Sequence, residues 1–336
     1  MVAQLDRAYI SARPSRVWTR LVSYLLFEGR PLTTRGRWIN PVLFGLYRVL
    51  VLLPPLRECK APIFIMGTGR SGTTALGTVL SMHKEIGFLN EPKALWHACY
   101  QEEDIIGSYA KMHGRARLWA MDATQRTHES LHRLYGAYLW LSRNRRVLDK
   151  YPELVFRIDF VRALFPDAKF LFLCRNGWDT CSSISDWSEK HGTFGEDWWG
   201  RGDQKWRTLV QEFAATNPEF SQQAPQMMTW SDHRHRAAFE WIISMRAGLA
   251  AQADDPDGIL TVPYEGLCKH PEQWMKAICT FAGLRPDPTL FAFAASKLRP
   301  VDPKPSFPLP ATLEKAFAEV TSKVDAVPHQ PNAGIR

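Results

Sequence analysis

At 336 residues, 45% hydrophobic and 23% charged, the chain is long enough for one large α/β domain or two modest ones, and its composition excludes global disorder. The formal net charge is +8, but residues 1–60 hold nine Arg and one Lys against Asp6, Glu28 and Glu58, so nearly all of the excess sits there. The remainder is close to neutral, which excludes a chain-wide nucleic-acid-binding field; a basic segment of this kind suits an anionic membrane surface.

Residues 1–57 read as N-terminal helices rich in Arg and apolar side chains, with no apolar h-region and cleavage site of a signal peptide. Within them Trp38–Leu56 has the length of a membrane span, but it carries Pro41, Arg48 and a Pro54-Pro55 end. The next strand starts at Pro62, which leaves no stem, so the segment is expected to lie buried or on a membrane surface rather than to cross one. From Ala61 the pattern turns α/β. Pro62–Met66 is a short apolar run that predicts a buried parallel strand, followed by a Gly-rich turn and a helix over Thr73–Met82. A second strand is expected just before Glu91, and another at Arg146–Asp149. Glu153–Phe165 reads as a helix closed by Pro166, and Lys169–Cys174 as a strong buried strand with a helix from about Trp178. His191–Asp232, rich in Trp, Gly and polar residues, is expected to be irregular and to cover a site. A helix follows over Arg236–Ala251, with Ala238, Trp241, Ile242, Met245 and Leu249 on a core-facing stripe. Ile259–Pro263 predicts a strand and Pro271–Ala282 a helix stopped by Gly283, before a Pro-rich tail from Pro300. No internal repeat is visible. The alternation implies a parallel sheet flanked by helices, with right-handed crossovers. The expected organisation is a helical segment 1–57, an α/β domain 58–300 and a tail 301–336. Six scattered cysteines, without Cys-x-x-Cys or zinc-type spacing, read as free thiols of a reducing, cytoplasmic setting.

The sharpest motif is Gly67-Thr-Gly-Arg-Ser-Gly-Thr-Thr74, between strand and helix. Its glycines let backbone N–H groups approach an anion, and the helix N-terminus points its positive end at the same place. It is close to a Walker loop, but Thr73 stands where the Lys would be, and the cation is Arg70. A transferred group with less charge than a γ-phosphate could be served by such a loop cation without a metal.

The run PIFIMGTGRSGTT resembles the 5′-phosphosulfate-binding loop of sulfotransferases that use PAPS (3′-phosphoadenosine-5′-phosphosulfate). That resemblance implies a P-loop-like sulfotransferase fold, with Gly69, Arg70, Ser71, Gly72, Thr73 and Thr74 at the 5′-phosphosulfate. It also implies that Arg70 stabilises the departing bridging oxygen. A second segment, residues 165–187, is similar to the family's 3′-phosphate site. There Arg175 at a strand end and Ser183 eight residues on would grip the phosphate, with Ser182 and Ser185 as near neighbours. Gly177 replaces a frequent family Pro. A third segment, from Val262 to Pro271, looks like the family's stretch before a late helix, with Tyr264 a candidate nucleotide contact and Glu265 a structural residue.

Transfer to a hydroxyl needs a base. Glu91 in Gly87-Phe-Leu-Asn-Glu-Pro92 resembles the catalytic Glu of the carbohydrate-type branch, and Lys150 in Leu-Asp-Lys-Tyr-Pro152 resembles a family Lys near the sulfonate. Their ordinary alternatives are, for Glu91, an N-cap or a salt bridge to Lys93 or an Arg and, for Lys150, a solvated Lys. His83, His97 and His128 are weaker base candidates. Trp187, Trp198, Trp199, Trp206 and Trp230 suit a sugar, aryl or lipid-linked acceptor, or the core of a lid. The expected partners are thus a hydroxyl-bearing acceptor and an anionic membrane, with PAP as product and no metal. Two other readings are a P-loop kinase or NTPase, which Thr73 and Arg175 disfavour, and a non-catalytic nucleotide-binding scaffold, which Arg70 and Glu91 disfavour.

Overall fold

The computed structural model describes residues 4–30, 36–109, 114–192 and 196–331. Its framework is five short parallel strands: β1 (Ile63–Gly67), β2 (Ile86–Asn90), β3 (Arg146–Lys150), β4 (Lys169–Cys174) and, after a two-residue ribbon of β5 (Glu196–Asp197) and β6 (Gly200–Arg201), β7 (Ile259–Pro263). The sheet order is β2-β3-β1-β4-β7. The continuous apolar runs become strands because both faces are covered. Phe64 pairs with Phe170 and faces one core; Ile65 pairs with Leu171 and faces the other. Beyond β1 the chain turns first towards β2 and later towards β4, which opens a crevice at the carboxyl edge of β1.

Three expected elements differ. The stretch 153–165 is a 3₁₀ turn (Pro152–Phe156) and a separate helix (Ile158–Leu164), divided where the Arg157 guanidinium reaches the Glu103, Arg115 and Ala116 carbonyls. Within 191–232 the described residues include short helices at Gln204–Leu209 and Ala224–Met227, anchored by buried Trp199 and Trp206. The tail contains a helix, Ala311–Asp325, whose Phe317 packs on Trp178 and Trp241.

Several of the N-terminal arginines turn inward rather than to solvent. Arg13 clamps Asp287 through two bonds of 2.7 and 2.6 Å. Arg16 donates to the Ser81 carbonyl and to Asn144 Oδ1. Arg20 donates to Glu28 Oε1 at 2.8 Å and to the Phe88 carbonyl at 2.6 Å. Side-chain length explains this: Arg carries its charge across apolar surface to backbone oxygens at the sheet edge. No helix among the described residues is long and apolar enough to cross a membrane.

Candidate active site

The loop after β1 is bent by three residues with positive φ: Gly67 (+147°), Arg70 (+67°) and Gly72 (+99°). At Gly67 a Cβ would sit 2.5 Å from the Leu173 carbonyl oxygen, and at Gly72 it would sit 2.3 Å from the Tyr264 ring. Ser71 Oγ donates to the Thr68 carbonyl at 2.6 Å and closes the turn. The helix Thr73–Leu80 then begins without a side-chain cap, so its first-turn amides are left free to meet an external acceptor.

These elements open onto one cleft of about 600 Å³. Gly69, Arg70, Gly72, Thr73 and Thr74 line it from the loop, Glu91 from the end of β2, and Arg175 and Ser183 from the far side. Ser71 is buried beneath, within the loop. Of the three neighbouring serines only Ser183 lines the cleft; Ser185 donates to Glu189. Arg70 Nε donates to Ser183 Oγ at 3.2 Å. Arg175 donates to the Arg70 carbonyl at 3.2 Å, lies 4.4 Å from the Tyr264 ring centroid, and leaves its buried Nε without a partner. Burial, and then the nearby Arg175 charge, push the Arg70 guanidinium below its ordinary pKa. The orphaned Nε and the uncapped amides fit a phosphate-bearing ligand.

At the other end of the cleft Glu91 holds a positive φ of 50°, with its N–H on the Lys150 carbonyl at 2.7 Å. Its carboxylate pairs with Lys150 and lies 3.7 Å from Lys93. Burial acts to raise this carboxyl, but the two ammonium groups outweigh it and hold the carboxyl below the ordinary range. Lys93 continues to Glu153 at 3.1 Å, and Lys205 joins Glu153 at 3.6 Å to Glu240 at 2.7 Å. Trp198 Nε1 donates to Glu240 at 2.9 Å, and the Trp198 ring covers Gly69.

A smaller recess of about 90 Å³ adjoins the cleft through Gly69, Glu91, Trp187 and Trp198, and is floored by Lys93, Glu153 and Lys205. The motif residues therefore converge, and Trp187, Trp198 and Tyr264 join them, with two exceptions. Ser71 and Lys150 are buried and line neither space, Lys150 being a buried partner of Glu91 rather than a solvated Lys. Trp199, Trp206 and Trp230 also lie off both. His83 is instead bound to the Arg285 carbonyl, His97 packs on Tyr109, and His128 stacks on His132. Glu265 accepts from the Asn176 N–H. Lys93 was expected only as a salt-bridge partner of Glu91; sequence reasoning missed Glu153, Lys205 and Glu240, and also Tyr24, Glu28 and Arg30, which line the cleft from the N-terminal segment. The only signal was the proximity of Lys93 to Glu91 and of Glu153 to Lys150. Among the described residues no group of three or more His, Cys, Asp or Glu could hold a metal ion.

A family model described as the Sulfotransferase family matches residues 62–230. Among solved structures, the chain is similar to a sulfotransferase domain from the curacin biosynthetic pathway at 14% identity, over 80% of this chain and 98% of that one, with a TM-score of 0.47. It is also similar to a sulfotransferase from Mycobacterium avium at 16% identity, over 85% and 81%, with a TM-score of 0.48. None of the curated proteins matches it. The family match alone carries the assignment.

Proposed function

Because this chain belongs to the sulfotransferase family, we propose that it transfers a sulfonate group from PAPS to a hydroxyl of an acceptor. The observation that carries this reading is the convergence of Arg70, Arg175 and the uncapped Thr73–Leu80 helix on one cleft. Arg175 and Ser183 bind the 3′-phosphate. The free amides at the start of the Thr73–Leu80 helix, with the Thr73 and Thr74 hydroxyls, bind the 5′-phosphosulfate, while Ser71 holds the turn beneath them, and the Arg70–Ser183 hydrogen bond opens as the donor enters. The acceptor oxygen attacks sulfur in line. The bond from sulfur to the bridging oxygen breaks, and the electron pair leaves with PAP. Arg70 and Lys150 stabilise the charge gathering on that oxygen and on the sulfonate. Glu91, ionised because Lys150 and Lys93 favour its charged form, takes the hydroxyl proton. No step draws on a metal.

The acceptor lies towards Glu91, between Trp187, Trp198 and the N-terminal segment. Aromatic walls fit the sugar, aryl or lipid-linked alcohols of the carbohydrate-type branch. The catalytic domain spans residues 58–300, and the free cysteines suit a reducing, cytoplasmic compartment.

Titration calorimetry in EDTA tests the donor assignment. PAP should bind wild type far more tightly than the nucleotide lacking the 3′-phosphate. Arg175→Ala should weaken PAP roughly 10- to 100-fold and erase that preference, as expected for a lost charge-assisted contact. An unchanged preference in Arg175→Ala contradicts the assignment.

A further inference from the structure

The helix Asn40–Leu50 and the turn after it have two unlike faces. Leu43 and Tyr47 are buried, with Tyr47 stacked on Phe27. The opposite side exposes Trp38 (79%), Val42, Val49, Leu52 (82%), Leu53 and Leu56. This is a contiguous apolar face rather than a scatter of single residues, and faces of this kind mark interaction sites. It is also held rigidly. Arg133 Nη1 donates to the Val51 carbonyl at 2.6 Å, and a Cβ at Gly136 would sit 2.2 Å from the Arg57 carbonyl oxygen.

The rim is basic. Arg48, Arg57, Arg143 and Arg145 are exposed, and none has an ion-pair partner among the described residues. Arg57 Nη1 bonds the Asn144 carbonyl at 2.7 Å, which places residues 143–145 beside the turn. Of the nearby acids, Glu58 pairs with Lys60 and Glu129 with Arg133; Glu85, whose carbonyl accepts the Arg145 N–H at 2.9 Å, has no ion pair among the described residues, and the four arginines outnumber it.

We propose that this face docks the protein on an anionic lipid surface, with the apolar residues entering the headgroup boundary and the arginines meeting lipid phosphates and carboxylates. A symmetric contact with a second copy would set the arginines against themselves. A helix of 11 residues spans only about 16 Å, too little to cross a bilayer but enough to lie in its interface. The side chain of Asn40 exchanges two hydrogen bonds, each 2.9 Å, with the backbone of Arg30, a residue of the cleft wall. The docked protein therefore holds its cleft beside the membrane. The docking itself does not depend on the transferase reading.

Co-sedimentation with vesicles tests it. The full chain should pellet with phosphatidylcholine–phosphatidylserine vesicles at low salt, not with phosphatidylcholine alone, and should release at high salt. Leu52→Ser/Leu53→Ser and Arg48→Glu/Arg145→Glu should each reduce the bound fraction at least about fivefold. Both variants should keep the wild-type melting temperature and its rise with PAP, which shows that they fold. Failure of the wild type to pellet, or unchanged pelleting of both variants, overturns the proposal. So does a wild-type dimer in light scattering that the leucine variant dissolves, because the face would then belong to a second copy.

Discussion

Glu91 sits where three constraints meet. Its φ of 50° is unusual for a residue with a side chain, and its N–H and carbonyl are both bound at 2.7 Å, to Lys150 and Lys93. Strain held by surrounding bonds aims the carboxylate into the cleft beside two ammonium groups. The geometry assigns a geometric task to the backbone and an electrostatic one to the lysines. Glu91→Gln keeps the shape and the hydrogen-bonding reach but removes the base. Transfer should fall at least about 100-fold while PAP binding stays within about twofold of wild type. A rate assay and calorimetry on one preparation check this, and a fully active variant removes Glu91 from the chemistry.

Between elements, the connection that matters most runs from the N-terminal segment to β2. Arg20 and Glu28 form a buried ion pair, and Glu28 Oε1 also accepts the Asn90 N–H at 2.9 Å. Asn90 precedes Glu91, so a charge in the first 30 residues steadies the strand end that carries the proposed base. Breaking one partner of a buried pair leaves the other uncompensated. Arg20→Met should therefore cost about 3 kcal/mol or more of stability, visible as a lower midpoint in urea, and should slow transfer as well. A midpoint equal to wild type would mean the pair does not hold β2.

Strands with continuous apolar runs, such as Lys169–Cys174, and the loop between β1 and its helix were legible, because each depends on contiguous residues. Glu91 and Lys150 were legible only through local resemblance. The Lys93–Glu153–Lys205–Glu240 network joins residues up to 147 positions apart, and no local pattern announces which buried charges will meet. The nine arginines of residues 1–57 suggested a basic segment suited to an anionic membrane surface. Three of them are buried against backbone oxygens instead, a tertiary choice that charge counting does not reveal.

Across the whole molecule, buried carboxyls set a pH dependence. Burial, only partly offset by Arg157, pushes the Glu103 carboxyl up to about 8, and burial pushes Asp149 up to about 7. Both lie above their values in an unfolded chain. Between those values and 7–8 the folded state holds more protons than the unfolded one. Stability therefore falls as pH rises through that window. Glu103→Gln, which can still accept the Tyr151 hydroxyl, should flatten the decline in melting temperature between mildly acidic and mildly alkaline buffer; Asp149 should leave a residual slope. A slope equal to wild type would show that Glu103 is ionised in the fold.

The central claim is a donor site built for a 3′-phosphorylated nucleotide, and a thermal-shift comparison of PAP, ADP and ATP with Mg²⁺ tests it most directly, because a ligand that binds the native state raises its melting temperature. The account predicts a rise with PAP and none with ADP. A rise with ATP and Mg²⁺, with no response to PAP, would contradict it and assign the loop to a kinase or NTPase.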